Sequence, residues 1–408
     1  MNEFMTVEQA RASVRQCEEI CKIRGTVQNV VRLSNCYFIL GAVEEALKLA
    51  HLAFEKDPNN PAVVVNLGLM MNDVGAHDDA FKCFSIAYND LEDRDWYTKL
   101  AYSEALLRRG NWEDAWPIWD TCRVTKEGAA LAAGIPIGIK EWDGKKEPES
   151  LLVIDEGGIG DRFAYSRYLL ELSERQINWT YFPMPENRAF FERASWCKGH
   201  LAEPKTNITN THWTTVYSLP ANLMADKDSV PKFPEPIFSS ARTKLKYKIG
   251  SSVKSPVVGL CWNGNEERHG GRKVHSLSEG QAMRLICKTD HLVCWINLNW
   301  DCALPLPVEN PRINDLEDLA GLISNMKEVV SIDSGPAYLS SAMDIPTTVL
   351  LPSNTDWKFL KDDCEESPFL PGVKLLRNGP GGGIEKAIDK AIEHIVSKYS
   401  RGRITLVS

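Results

Sequence analysis

The sequence predicts two kinds of structure in succession: an all-helical array of repeated hairpins over residues 1–125, then two doubly wound α/β domains at 151–235 and 256–400. Three observations carry this. Gly41, Gly75 and Gly110 recur at separations of 34 and 35 residues, each followed five residues later by an alanine, Ala46, Ala80 and Ala115. Short β-branched runs alternate with helical patterns through the rest of the chain, the order expected of parallel sheets with crossover helices. Glycine-rich or small-residue turns follow two of those runs, at DEGGIGD (155–161) and DSGP (333–336).

Length and composition set the frame. At 408 residues with 43% hydrophobic content the chain can bury several cores without covalent staples. The formal charge of −8, with Lys and Arg spread thinly, leaves no electrostatic footprint for tight binding to a phosphate backbone. The first residues are polar, and no apolar run approaches the roughly 18–20 residues of a membrane span, so a cytoplasmic protein is expected. The 11 cysteines are scattered from Cys17 to Cys364 without a CxxC pair, which fits buried thiols in a reducing compartment. Cys17 and Cys21, four apart on one helix face, are expected to pack. No HExxH, calcium-loop or Walker sequence calls for a metal.

In the array, each glycine permits the turn between two helices, and the small alanines let those helices approach closely. Ala53 and Ala87 follow seven residues after Ala46 and Ala80, and Pro58 closes the first unit. Residues 5–25 read as an additional capping helix. These positions resemble the tetratricopeptide repeat, with Leu67, Gly68, Phe84 and Ala87 at further consensus positions of the second unit. The third unit departs from the pattern: Trp119 and Cys122 replace the usual aromatic and alanine, and Pro117 should bend its second helix. Such an array offers a concave surface to a partner, or serves as a rigid side wall for the rest of the chain.

Residues 126–150 carry Gly, Pro and Lys clusters and read as a connector. Leu151–Ile154 is a buried strand; Gly157, Gly158 and Gly160 build the turn after it, and Asp161 stands where a helix begins. The dipole there stabilises a carboxylate, so Asp161 either caps the helix or serves a ligand that the three glycines let approach. Strands near Trp179–Phe182 and Trp213–Leu219 complete a small parallel sheet, and a second linker runs from Lys232 to Lys254.

Pro256–Trp262 opens the second sheet. The loop NGNEERHGGRKVHSL that follows begins at Asn263 and places Arg268, Arg272 and Lys273 at a strand's carboxyl end, which suits a diphosphate or is simply a solvated loop. Leu292–Leu298 is a strand and Asp315–Ile323 a helix. Val329–Ile332, the turn Asp333-Ser334-Gly335-Pro336, the helix Ala337–Met343 and the strand Thr347–Leu351 form one βαβ unit. The amides of its turn can hold a phosphate, with Gly335 allowing close approach and Ser334 adding a hydroxyl, unless Ser334 only caps the helix. Ile384–Tyr399 is an amphipathic C-terminal helix.

Three blocks, LLVIDEGGIGDRFAYSRYLLEL, VVGLCWNGNEERHGGRKVHSL and VVSIDSGPAYLSSAMDIPTTVLLPSNTDW, resemble the glycosyltransferases of the heptosyltransferase-like family 9, here fused to tetratricopeptide-like repeats as in bacterial and phage proteins. The resemblance implies the GT-B fold of two Rossmann-like domains, a nucleotide-sugar donor, inversion at the anomeric carbon and no essential metal or other cofactor. It implies that Asp161 is the general base. It places Asp333, Ser334, Gly335 and Tyr338 at the donor, together with Gly160, Asn263, Arg272 and Lys273. Family members usually carry His where this chain has Tyr338, which donates one hydrogen bond but holds no switchable charge near neutrality.

The expected activity is therefore transfer of a hexosyl, pentosyl or heptosyl group to an acceptor hydroxyl of a glycan, a protein presented along the repeats, or a hydroxylated DNA base. The acidic balance counts against DNA. With Tyr338 as the clue, the alternative is a non-catalytic repeat scaffold with a degenerate transferase half.

Overall fold

The computed structural model describes residues 7–122, 126–136, 138–202, 208–237, 243, 246, 255–264, 276–361 and 363–400. Helix α1 (Val7–Ile23) precedes three hairpins: α2 (Val27–Ile39) with α3 (Val43–Lys56), α4 (Pro61–Asp73) with α5 (His77–Ser85), and α6 (Trp96–Arg108) with α7 (Trp112–Trp119). The turn glycines adopt one conformation, with φ of +81° at Gly41, +80° at Gly75 and +82° at Gly110, a region that glycine enters without a Cβ clash. Ala46, Ala53, Ala87 and Ala115 are fully buried between the helices, and a Cβ on Gly68 would meet the Phe84 ring at 2.6 Å. The array thus resembles a tetratricopeptide-like arrangement, with α1 where the capping helix was expected. Cys17 is buried against Cys36, Sγ to Sγ 3.9 Å, as packing rather than a bridge. The chain passes from α7 into a 3-10 turn at Asp120–Cys122, three residues beyond Pro117.

The first sheet contains β1 (Lys140–Glu141), β2 (Leu151–Ile154), β3 (Trp179–Phe182) and β4 (His212–Thr215), all parallel, in the order β1-β4-β2-β3. The segment read as a connector thus supplies α8 (Lys126–Ala132) and an exposed edge strand, and Trp142 just after it is buried. Helix α9 (Ile159–Tyr165) follows β2, α10 (Leu169–Glu174) continues it, and α11 (Pro185–Arg193) and α12 (Leu219–Asn222) follow β3 and β4.

The second sheet is also parallel, in the order β6-β5-β7-β8-β9. Its strands are β5 (Val257–Cys261), β6 (Cys294–Asn297), β7 (Glu328–Ile332), β8 (Thr347–Leu351) and β9 (Lys374–Arg377). Helix α13 (Glu279–Thr289) lies between β5 and β6, α14 (Leu316–Ile323) before β7, α15 (Gly335–Ala342) between β7 and β8, and α16 (Glu385–Ser400) closes the domain. Every residue of β5, β7 and β8 is buried, as strands covered by helices on both faces must be. A helical region followed by two facing parallel α/β domains is the GT-B architecture the sequence predicted.

The array is joined to both domains by aromatic packing. Trp112, Trp116 and Trp119 of α7 surround Trp357 of the second domain at ring-centroid distances of 5.8, 5.9 and 6.0 Å. Trp119 also stacks on Tyr217 of the first domain at 5.3 Å, and the Trp116 indole N–H donates to the carbonyl of Ala225 at 2.8 Å. Trp116→Ala removes a fully buried indole and is expected to cost about 3–5 kcal/mol of stability, read as a lower urea midpoint. A loss below about 1 kcal/mol would mean that the array is not part of the cooperative fold.

Candidate functional site

Each parallel sheet has a switch point, where successive crossovers leave in opposite directions and a crevice opens at the strands' carboxyl ends. In the first sheet β2 is flanked by β3 and β4, so the crevice lies at the Asp155–Gly158 turn. In the second, β5 is flanked by β6 and β7, so it lies beside Asn263 and the Asp333-Ser334 turn. The two crevices open onto a single cavity of about 1240 Å³, whose lining includes Asp161, Asn263, Asp333, Gly335 and Lys358.

The helices that follow the two turns meet at their N-terminal ends. A Cβ on Gly160 would lie 2.8 Å from Cδ2 of Tyr338, and one on Gly335 would lie 3.3 Å from Cβ of Ile159. Gly160 is therefore required for the close approach of α9 to α15, as well as lining the cavity. The Tyr338 ring is only 4% exposed, and it would have to shift to admit a methyl group there. Gly160→Ala is expected to cost about 1–3 kcal/mol through overpacking, offset by up to about 1 kcal/mol of helix propensity. Equal urea midpoints for variant and parent would show that the two helices can separate freely.

Asp161 is the third residue of α9 and is 8% exposed. Its Oδ2 accepts the Gly158 N–H at 3.2 Å, so it does cap the helix. Its Oδ1 meets the Nζ of Lys358 at 3.2 Å, across the interdomain boundary. The same ammonium lies 3.1 Å from Oδ2 of Asp356, and the Lys358 side chain is 5% exposed. Burial alone would lower the Lys358 pKa, but Asp356, Tyr165 and Asp161 outweigh it and hold the group well above its ordinary value. The cavity thus contains a permanently charged ammonium between two carboxylates.

Asp333 is pushed up by burial, and the charges of Asp356 and Asp161 add to this while Lys358 opposes it. The neighbouring Tyr338 hydroxyl has no aligned hydrogen bond in the described structure, and burial drives its pKa well above the usual phenol value. Ser334 makes no side-chain bond to the helix terminus. Its hydroxyl turns toward the strand ends instead, 3.0 Å from the Ser331 hydroxyl and 3.3 Å from the Cys261 sulfur. This leaves backbone amides, rather than the hydroxyl, as the turn's means of meeting an anion. The backbone of Asn263 is held by Asn299, whose Nδ2 donates to the Asn263 carbonyl at 2.6 Å. Arg268, Arg272 and Lys273 lie outside the described residues.

Asp155, at the end of β2, is not part of the reactive group. Its carboxylate accepts from the Tyr181 hydroxyl, from the Met184 N–H at 2.7 Å and from the Asn187 amide at 2.9 Å, and so fixes the turn from below.

Lys358 carries no signal in its own stretch of sequence. It follows β8 in a loop held by the helical array: Arg108 donates to the Thr355 hydroxyl at 2.7 Å and to its carbonyl, and the His77 Nε2 lies 3.0 Å from the carbonyl of Ser353. Burial and the Arg108 charge push the His77 pKa down to about 3, so this contact is made by a neutral imidazole.

No protein-family model matches the sequence, and no characterised protein matches it significantly by sequence. Among solved structures, the chain is similar to the family 9 glycosyltransferase from Veillonella parvula, at 10% identity over 62% of this chain and 99% of that one, with a TM-score of 0.45. It is also similar to ADP-heptose LPS heptosyltransferase II of E. coli, at 14% identity over 62% and 98%, with a TM-score of 0.43. A third is TibC, an iron-containing dodecameric glycosyltransferase of enterotoxigenic E. coli, at 11% identity over 63% and 77%, with a TM-score of 0.40. These structural neighbours are heptosyltransferase-like glycosyltransferases. At such low similarity they do not say what this chain binds. Among the described residues no group of three or more His, Cys, Asp or Glu could hold a metal ion, and no helix is long and apolar enough to cross a membrane.

Proposed function

We propose that the chain is an inverting glycosyltransferase that moves a sugar from a nucleoside-diphosphate donor to an acceptor hydroxyl. The observation that carries this reading is the meeting of two switch-point crevices in one cavity. It sets the Asp161 carboxylate opposite the Asp333-Ser334-Gly335 turn, with a buried ammonium beside it. A degenerate scaffold would have no use for an open polar space at that position.

In this reading the acceptor oxygen attacks the anomeric carbon while its proton passes to Asp161, and the bond from that carbon to the phosphate oxygen breaks with its electron pair. Proton transfer to a positioned carboxylate contributes about 10²–10⁴ in rate. The leaving diphosphate is met by the N-terminal end of α15, whose dipole and amides favour negative charge. Lys358 serves twice: it orients Asp161, and it turns toward the diphosphate when donor enters, freeing the carboxylate to accept a proton. Asp333, kept toward its neutral form by burial, does not repel the arriving anion. The sequence resemblance assigns Arg272 and Lys273, which lie outside the described residues, to the same diphosphate.

Incubation with a panel of nucleotide sugars and simple saccharides, followed by assay of released nucleoside diphosphate, tests the proposal. The reading expects one donor to be turned over with inverted product. Neither binding nor release with any donor would contradict it.

A further inference from the structure

We infer that the helical array supplies the acceptor-binding wall of this cavity, and that Glu104 of α6 is the residue that receives a neutral, hydroxyl-rich acceptor, a saccharide. This deepens the transferase reading and rests on it. The cavity is not bounded by the two α/β domains alone: Asn72 of α4 and Tyr97, Glu104 and Arg108 of α6 also line it. Glu104 and Arg108 lie one helical turn apart on α6 and project toward the Thr355-Asp356-Trp357-Lys358 loop. Arg108 is spent on Thr355. The half-buried Glu104 carboxyl has no hydrogen-bond or ion-pair partner among the described residues, while still opening on the cavity.

A half-buried carboxyl that no described protein group engages leaves its hydrogen bonds to whatever occupies the cavity. Its surroundings select the ligand. Arg108 and Lys358 are the cations whose charge acts on Glu104, and Asp356 is the anion. Both cations are already engaged, Arg108 by Thr355 and Lys358 by Asp161 and Asp356. The α6 side of the wall, where Thr355 holds Arg108, offers an arriving anion no cation of its own, but Glu104 can accept hydrogen bonds from hydroxyls. Burial, with the Asp356 charge adding and Arg108 and Lys358 opposing, raises the Glu104 pKa to about 7, so the group can also donate to an acceptor oxygen near neutrality.

The test uses the full chain with UDP, ADP, GDP or CDP and with glucose, galactose and N-acetylglucosamine as probes. Saturation-transfer NMR should detect at least one of these sugars on the parent protein in the presence of a nucleoside diphosphate. Glu104→Gln is expected to weaken that sugar by about tenfold or more, and Glu104→Ala further, while nucleoside diphosphate affinity and melting temperature stay near those of the parent. In turnover, the acceptor KM should rise with kcat and donor hydrolysis little changed. Sugar binding that is equal in the parent and both variants, or absent from the parent with every probe, overturns the inference. Sugar binding that is lost in Glu104→Ala, with no donor turned over by the parent, leaves the acceptor wall standing and removes the transferase reading instead.

Discussion

Asp161→Asn is expected to lower sugar transfer by about 10²–10⁴-fold while leaving nucleoside diphosphate affinity within about threefold. The amide oxygen of Asn can still accept the Gly158 N–H that now meets Oδ2 at 3.2 Å, so the start of α9 is preserved. What disappears is the capacity to take a proton. Nucleotide release measures the first quantity and titration calorimetry the second. A variant that transfers at the parent rate removes Asp161 from the role of base, whatever the fold.

Lys358→Met has the larger expected effect on stability. The side chain is 5% exposed, and its ammonium lies 3.2 Å from Asp161 and 3.1 Å from Asp356. Deleting one member of a buried charge cluster costs about 3–5 kcal/mol, because the remaining charges keep their desolvation penalty without their partner. Methionine preserves most of the volume, so a cavity contributes little. The pH dependence has a definite sign. Asp333 is already raised by burial and loses the cation that lowers it. A raised carboxyl stabilises the fold below its unfolded pKa and withdraws that stability as pH climbs through its folded value. The deficit of the variant should therefore be larger near about pH 8 than near about pH 5. Urea melts at the two pH values check this, and equal deficits would mean that Lys358 does not hold the carboxyl cluster together.

Much of the fold was legible because periodic features write themselves into local sequence. The Gly41, Gly75 and Gly110 spacing demands a repeated turn, and all three adopt the same positive φ. The buried runs Val257–Cys261 and Thr347–Leu351 became strands within a residue of their expected bounds. Helix α13 was missed although Ser278 and Gln281 form a capping box, a signal present in the sequence. Strands β1 and β9 were missed for physical reasons: the first is two exposed residues long and the second alternates weakly, so neither carries a hydrophobic pattern of its own.

The candidate site was legible where it lies on local turns, at Asp161, Asp333 and Gly335. It was illegible where it is made by contact between distant segments. Lys358 meets Asp161 only because two domains face each other, and Glu104 reaches the same space only because α6 docks beside the Thr355–Lys358 loop. Gly160 was read for approach of a ligand, and the same absence of a Cβ proves to serve helix packing against Tyr338.

The central claim is that a nucleoside diphosphate binds where the two switch-point crevices meet. Crystals soaked in UDP, ADP, GDP or CDP test it directly. The account predicts a pyrophosphate at the N-terminal end of α15, within hydrogen-bonding distance of the Ser334 or Gly335 amide and of the Lys358 ammonium. A cavity that stays empty with all four, or a diphosphate bound elsewhere on the chain, would contradict it.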